Sequence, residues 1–209
     1  MPDAESCRSL ARMAANRRNI CVFCGSAPGN KPAFAEAARR LGAAIADRSM
    51  GLVYGGGNVG LMGAVADAVL AKRGRVIGVI PHSLEQKEVA HRGLTELHIC
   101  RTMHDRKRMM AERADAFIAM PGGYGTLEEI FEVITWAQLG IHHNPCALLN
   151  VDGFFDHLVQ YLDHAVGAEL LKPRFRQLLM VDTDIDRLLD AIESYEPPEV
   201  MQWIEPDET

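Results

Sequence analysis

Five short runs of almost unbroken apolar residues punctuate this chain: ICVFC at 20–24, LVY at 52–54, VIGVI at 76–80, AFIAM at 116–120 and ALLNV at 147–151. A strand with one wet face alternates apolar and polar residues, whereas a strand that does not alternate is covered on both faces. Such strands belong to a parallel sheet between two layers of helices. LHIC at 97–100 and a short run near 178–181 add two more strands. Helical spacing fills the gaps, at 33–48, 60–72, 103–113, 126–139, 154–165 and 184–194. Pro32 suits the first turn of the first of these helices, where its missing donor is not needed. Residues 81–93 read as a charged loop. The alternation predicts an α/β, doubly wound parallel sheet, forming a single domain over 19–195. A loose N-terminal extension (1–18) and an acidic, proline-containing tail (196–209) flank it.

Sheets of this kind bind ligands beyond the carboxyl ends of their strands. The loops that matter are therefore 24–31, 55–60, 81–88, 101–106 and 121–126. The chain has 209 residues and a formal charge of −6, from 22 basic and 28 acidic side chains. An acidic chain is a poor partner for a nucleic-acid polymer, which needs a surplus of Lys and Arg. A single nucleotide in a local basic pocket stays compatible. No run approaches the roughly 18 apolar residues of a membrane span. Arg8, Arg12, Arg17 and Arg18 interrupt any secretory apolar core. The five cysteines are odd in number and scattered, which predicts reduced thiols in the cytoplasm. Cys21 and Cys24 form a CxxC, but on a strand they face opposite sides. The eight histidines show no metal-ligand spacing, so no metal is expected.

Three segments carry chemistry. GGGNVGLMG at 55–63 places Gly55, Gly57 and Gly60 in a GxGxxG between a strand and a helix. A dinucleotide site expects an acid about 20 residues on, and none stands at the end of the next strand. The glycines still expose backbone donors at a helix N-terminus, an anion-attracting place; tight strand–helix packing is the alternative. PGGYGTLEE at 121–129 is a second such cradle, with Gly122, Gly123, Gly125 and the Thr126 hydroxyl. Glu129 is either free for proton chemistry or, through Thr126-x-x-Glu129, the acid of a capping box. In RTMHDRKRMM at 101–110, Arg106, Lys107 and Arg108 fan out around a helix by about 100° each. At most two of them can reach one pocket.

Taken together, GGGNVGLMG, MHDRK at 103–107, PGGYGTLEE, EVITWAQLGIH at 132–142 and LLNVDGFF at 148–155 resemble the Lonely Guy (LOG) family. These are cytokinin riboside 5′-monophosphate phosphoribohydrolases, often mislabelled lysine decarboxylases. The resemblance covers about residues 19–195. It implies a Rossmann-like fold, a homodimer, no cofactor, and hydrolysis of the N-glycosidic bond of a nucleoside 5′-monophosphate to a free N6-modified adenine and ribose 5-phosphate. It implies Arg106 and Glu129 as catalytic residues. It implies Glu88, Arg106, Lys107, Thr135 and the stretch Gly123, Tyr124, Gly125, Thr126, Leu127, Glu128 and Glu129 as substrate contacts. Gly25, Ser26, Gly55, Gly56, Gly57, Asn58 and Gly60 could line the remaining pocket.

N-glycoside cleavage passes through an oxocarbenium-like sugar, a charge that a carboxylate can stabilise while it activates water. That work falls to Glu129, with Arg106 anchoring the nucleotide and the 5′-phosphate resting on Gly123–Thr126. A decarboxylase using pyridoxal phosphate would need a Schiff-base lysine, which the resemblance does not supply. The alternatives are a broader nucleotide nucleosidase, a non-catalytic molybdenum-cofactor carrier and, more remotely, a nicotinamide dehydrogenase.

Overall fold

The computed structural model describes residues 18–85 and 90–198. Most of the expected N-terminal extension and C-terminal tail, and Glu88, lie outside those residues. Seven strands form one sheet: β1 (Asn19–Phe23), β2 (Gly51–Tyr54), β3 (Val76–Pro81), β4 (Glu96–Cys100), β5 (Ala116–Ala119), β6 (Cys146–Leu149) and β7 (Leu179–Asp182). Every pairing is parallel, and the order is β4-β3-β2-β1-β5-β6-β7. Eight α-helices occur among the described residues: α1 (Pro32–Asp47), α2 (Gly60–Ala71), α3 (His82–Glu85), α4 (Met103–Glu112), α5 (Tyr124–Leu139), α6 (Asp156–Gly167), α7 (Pro173–Arg176) and α8 (Ile185–Glu193). None is long and apolar enough to cross a membrane.

The unbroken apolar runs have the expected cause. Ile20, Val22, Leu52 and Tyr54 enter a core layer beneath α1, α2 and α8. Cys21, Phe23, Val53 and Phe117 enter a second layer with Met110 of α4, Ile130 of α5 and Leu162 of α6. Cys21 and Cys24 fall in different layers, so the CxxC is a strand pattern. The four described cysteines are free and buried.

Helix α1 shows how local rules build the layers. Pro32 opens it, and Phe34, Ala38, Leu41 and Ile45 are buried at three- and four-residue spacing. Truncating Leu41, which is fully buried, would cost about 2–5 kcal/mol. Helix α5 stops at Gly140, which adopts φ 81, a left-handed conformation that glycine takes without penalty.

The expected loop 81–93 is shorter than the charge pattern suggests. Pro81 closes β3 in register with Cys100, where its missing donor falls on the last rung, and His82–Glu85 make one helical turn. Ala90 then forms an isolated antiparallel bridge with Gly57.

Strand order reverses between β1 and β5. The crevice beyond those two strand ends is where open α/β sheets hold ligands. Here the loops after β1 and β5 touch: the Gly25 N–H donates to the Pro121 carbonyl at 3.0 Å.

Candidate active site

Helix α5 starts two residues earlier than the apolar spacing predicts. Gly123 is its N-cap, with no side-chain capping bond. The first intrahelical bond runs from the Leu127 N–H to the Gly123 carbonyl at 3.2 Å. The N–H groups of Tyr124, Gly125 and Thr126 therefore precede the helical ladder and are free to meet an anion. A side chain at Gly123 or Gly125 would meet nothing within 4 Å, so both face open space. Thr126 is buried instead, its Oγ1 packed so tightly under Gly122 that a Cβ there would lie 2.1 Å away.

The capping box is thereby overturned. Thr126 is helical, in the third position of α5, and Glu129 sits one turn further on. That carboxylate is buried, with a side chain 11% exposed, and its Oε1 lies 3.2 Å from Nη1 of Arg106, itself 10% exposed. Burial pushes the Glu129 carboxyl up to about 7, against the opposing pull of Arg106. Desolvation of the charged form outweighs the ion pair here. A buried carboxyl poised near neutrality has the acidity that proton chemistry requires.

Arg106 belongs to α4, whose first turn is fixed by Thr102: its hydroxyl accepts the Asp105 N–H at 3.0 Å. Arg106 points inward, and its Nε–H donates to the Val79 carbonyl of β3 at 3.2 Å. Lys107 turns to the side, with Nζ 2.5 Å from Glu128 and 2.8 Å from Glu132. Arg108 is exposed beside Asp105. Of the three adjacent cations only Arg106 meets Glu129, as the helical fan requires. Burial pulls the Lys107 ammonium down, but bonds to Glu128 and Glu132 outweigh it and raise it overall.

The first glycine loop is used largely by the protein itself. A Cβ on Gly55 would lie 2.0 Å from Nη2 of Arg106, so this glycine makes room for the guanidinium. Gly56, at φ 77, packs against Ile80, and Gly60, at φ 60, lets the Ser26 backbone cross where a Cβ would sit 2.3 Å from it. The Leu61 N–H donates to the Gly25 carbonyl. Close packing therefore accounts for Gly55, Gly56 and Gly60, although Gly55 still borders the site through Arg106. Asn58 is exposed in a groove between α1 and α2.

Thr135 is not brought to Glu129. It lies on the exposed side of α5, its hydroxyl bonded to the Phe131 carbonyl at 2.7 Å. Beside it, a cleft of about 660 Å³ opens between α4 and α5, lined by His104, Lys107, Glu132, Trp136, Ile141 and His142 among others. Among the described residues no three of His, Cys, Asp and Glu gather as a metal-ligand set. The residue pattern misses Glu132 and His91. Glu132 was legible: Glu128 and Glu132 are like charges four apart on one helix face, an arrangement that calls for a cation. His91, buried beside the first glycine loop, carries no such local signal.

Residues 62–192 match the family model described as "Possible lysine decarboxylase". The chain is 48% identical over 185 residues to the probable cytokinin riboside 5′-monophosphate phosphoribohydrolase LOGL5 of Oryza sativa subsp. japonica, covering 88% of this chain and 75% of that protein. It is 49% identical over 180 residues to the cytokinin riboside 5′-monophosphate phosphoribohydrolase LOG7 of Arabidopsis thaliana, covering 86% and 83%. Among solved structures, the molybdenum cofactor binding protein of Rippkaea orientalis superposes with a TM-score of 0.65 at 22% identity, covering 86% of this chain and 97% of that one. That likeness is one of fold. The sequence matches carry the assignment, and by them this chain belongs to the LOG family.

Proposed function

We propose that the protein hydrolyses the N-glycosidic bond of N6-modified adenosine 5′-monophosphates of the cytokinin type, releasing the free base and ribose 5-phosphate. The observation that carries this reading is the buried Glu129 beside Arg106, one turn behind the open N–H groups of Tyr124, Gly125 and Thr126. The relatives named as phosphoribohydrolases supply the substrate class.

The 5′-phosphate rests on those N–H groups, where the helix dipole favours an anion. The ribose then lies along the first turn of α5, with its anomeric carbon toward Glu129. As the C1′–N9 bond breaks, its electron pair leaves with the base and positive charge builds on the sugar. Ionised Glu129 stabilises that charge and accepts a proton from the attacking water. The hydroxyl ends on C1′, the departing base takes a proton from solvent, and Glu129 returns its own to solvent. Arg106 holds Glu129 in place and offers its remaining donors to the nucleotide.

The decarboxylase label has little to stand on. Schiff-base chemistry needs a neutral amine, and Lys107 is held as an ammonium by two carboxylates. A homodimer in the cytoplasm completes the reading, with Trp136 and Ile141 of the α4–α5 cleft offering an apolar surface to a second copy; sedimentation tests it. The activity is tested by incubating the protein with AMP, GMP, CMP and isopentenyladenosine monophosphate and measuring base release. Preferred release of isopentenyladenine supports the proposal. Equal release from AMP widens it to a general nucleosidase. No release from any nucleotide, with copurifying pterin, replaces it with a carrier.

A further inference from the structure

His91 is a buried histidine with both ring nitrogens and its backbone N–H engaged. Its Nδ1 accepts the Gly93 N–H at 3.1 Å. The proton of a neutral ring is therefore on Nε2, which lies 2.9 Å from Oδ1 of Asp67 on α2. The His91 backbone N–H donates to the Gly56 carbonyl at 3.0 Å, and the preceding Ala90 bridges to Gly57. Ring and backbone together tie the turn Gly55–Gly57 to α2.

That turn is what Arg106 leans on. The guanidinium lies where a Gly55 side chain would be, with its Nε–H bonded to the Val79 carbonyl on the far side. A turn released from His91 would free the guanidinium on one side and let its contact with Glu129 lengthen.

We propose that His91 and Asp67 are positioning residues for the hydrolysis, acting through the Gly55–Gly57 turn to hold Arg106 against Glu129. The inference rests on the function proposed above but concerns residues that touch neither substrate nor Glu129. Asp67 is two-thirds exposed on α2, so its replacement leaves no buried void.

The test compares Asp67→Ala, His91→Ala and His91→Gln with the wild type. Kinetics use whichever nucleotide the wild type cleaves fastest. A loose guanidinium lowers kcat by about tenfold, below the roughly hundredfold cost of a 1 Å misplacement, with KM within about twofold. Gln restores a donor toward Asp67, so His91→Gln recovers most of the kcat lost in His91→Ala. Unchanged kcat in both alanine variants, or a His91→Gln protein as slow as His91→Ala, overturns the assignment. A second measurement needs no turnover. The Arg106 Nε–H, shielded by its bond to Val79, exchanges with solvent faster in Asp67→Ala, as followed by NMR. Equal exchange in the two proteins overturns the positioning role even if no nucleotide is cleaved. Faster exchange in a protein without hydrolase activity upholds it and discards the hydrolase reading alone.

Discussion

Gly55 and Arg106 occupy one space: the methyl group of an alanine at position 55 would lie 2.0 Å from the guanidinium Nη2. A glycine-rich loop that resembles a nucleotide cradle is, at this position, a recess for the Arg106 guanidinium. Gly55→Ala therefore displaces Arg106 rather than the backbone, since the far end of an arginine is the movable partner. The expected outcome is a folded protein with near wild-type circular dichroism whose kcat/KM falls by about 10²-fold. A Gly55→Ala enzyme with normal kinetics would show that Arg106 has slack in the recess and that its placement is not critical.

Glu129→Gln removes the carboxylate and keeps the shape. Acid–base contributions are typically 10²–10⁴-fold, and that loss in kcat is expected with nucleotide binding by calorimetry changed little. With the capping box absent, Glu129 has no local helical duty that could account for such a loss. Near-normal turnover in the folded variant would take the chemistry away from this residue.

The same carboxyl sets a pH profile. Burial raises Glu129 to about 7, and in the proposed mechanism the ionised form stabilises the sugar cation. Turnover therefore rises with pH through about 7 and then levels. Lys107, held by Glu128 and Glu132, acts on Glu129 as a cation that lowers it. Lys107→Met moves the rise to higher pH, with kcat at pH 6.5 roughly threefold below wild type and little difference at pH 8.5. A turnover curve that falls through neutrality instead would make Glu129 a proton donor, and an unmoved curve in Lys107→Met would uncouple the two.

Stability carries the opposite sign. Glu129 binds its proton more tightly when folded, at about 7, than at its ordinary value of 4.5. Between those values the native state holds more protons than the unfolded chain, so Glu129 makes stability decline as pH rises. The ceiling on that decline is about 3 kcal/mol. Thermal midpoints of wild type and Glu129→Gln measured between pH 4.5 and 8 should diverge, the wild type losing more toward pH 8. Parallel curves would mean that Glu129 is already ionised at the lower end.

What a sequence makes legible depends on the range of the interactions. The strands at 20–24, 52–54 and 116–120 were legible because burial on both faces leaves an unbroken apolar run. The loops to watch followed from the same pattern. Strand order did not, since it rests on pairings such as Ile20 with Ala116, which no local spacing encodes. Helix α5 starts two residues before the apolar period does, because Tyr124 and Gly125 are exposed and show none. The roles of the glycines were hidden for a further reason: a glycine that makes room for Arg106 and a glycine that faces open space are the same letter.

Gly125 is the position where that ambiguity can be resolved by experiment. It lies inside the first turn of α5 with ordinary helical neighbours, and a methyl group there meets nothing within 4 Å. Alanine is favoured over glycine inside a helix by about 0.5–1 kcal/mol, so Gly125→Ala should raise the thermal midpoint of the free protein. If the N–H groups of this turn hold the 5′-phosphate, the same methyl group stands in the ligand's way. KM should then rise by about tenfold or more, while a nucleoside lacking the phosphate, used as a weak inhibitor, binds both proteins alike. A stabilised variant with unchanged KM would place the phosphate elsewhere, and with it the anomeric carbon that Glu129 is required to reach.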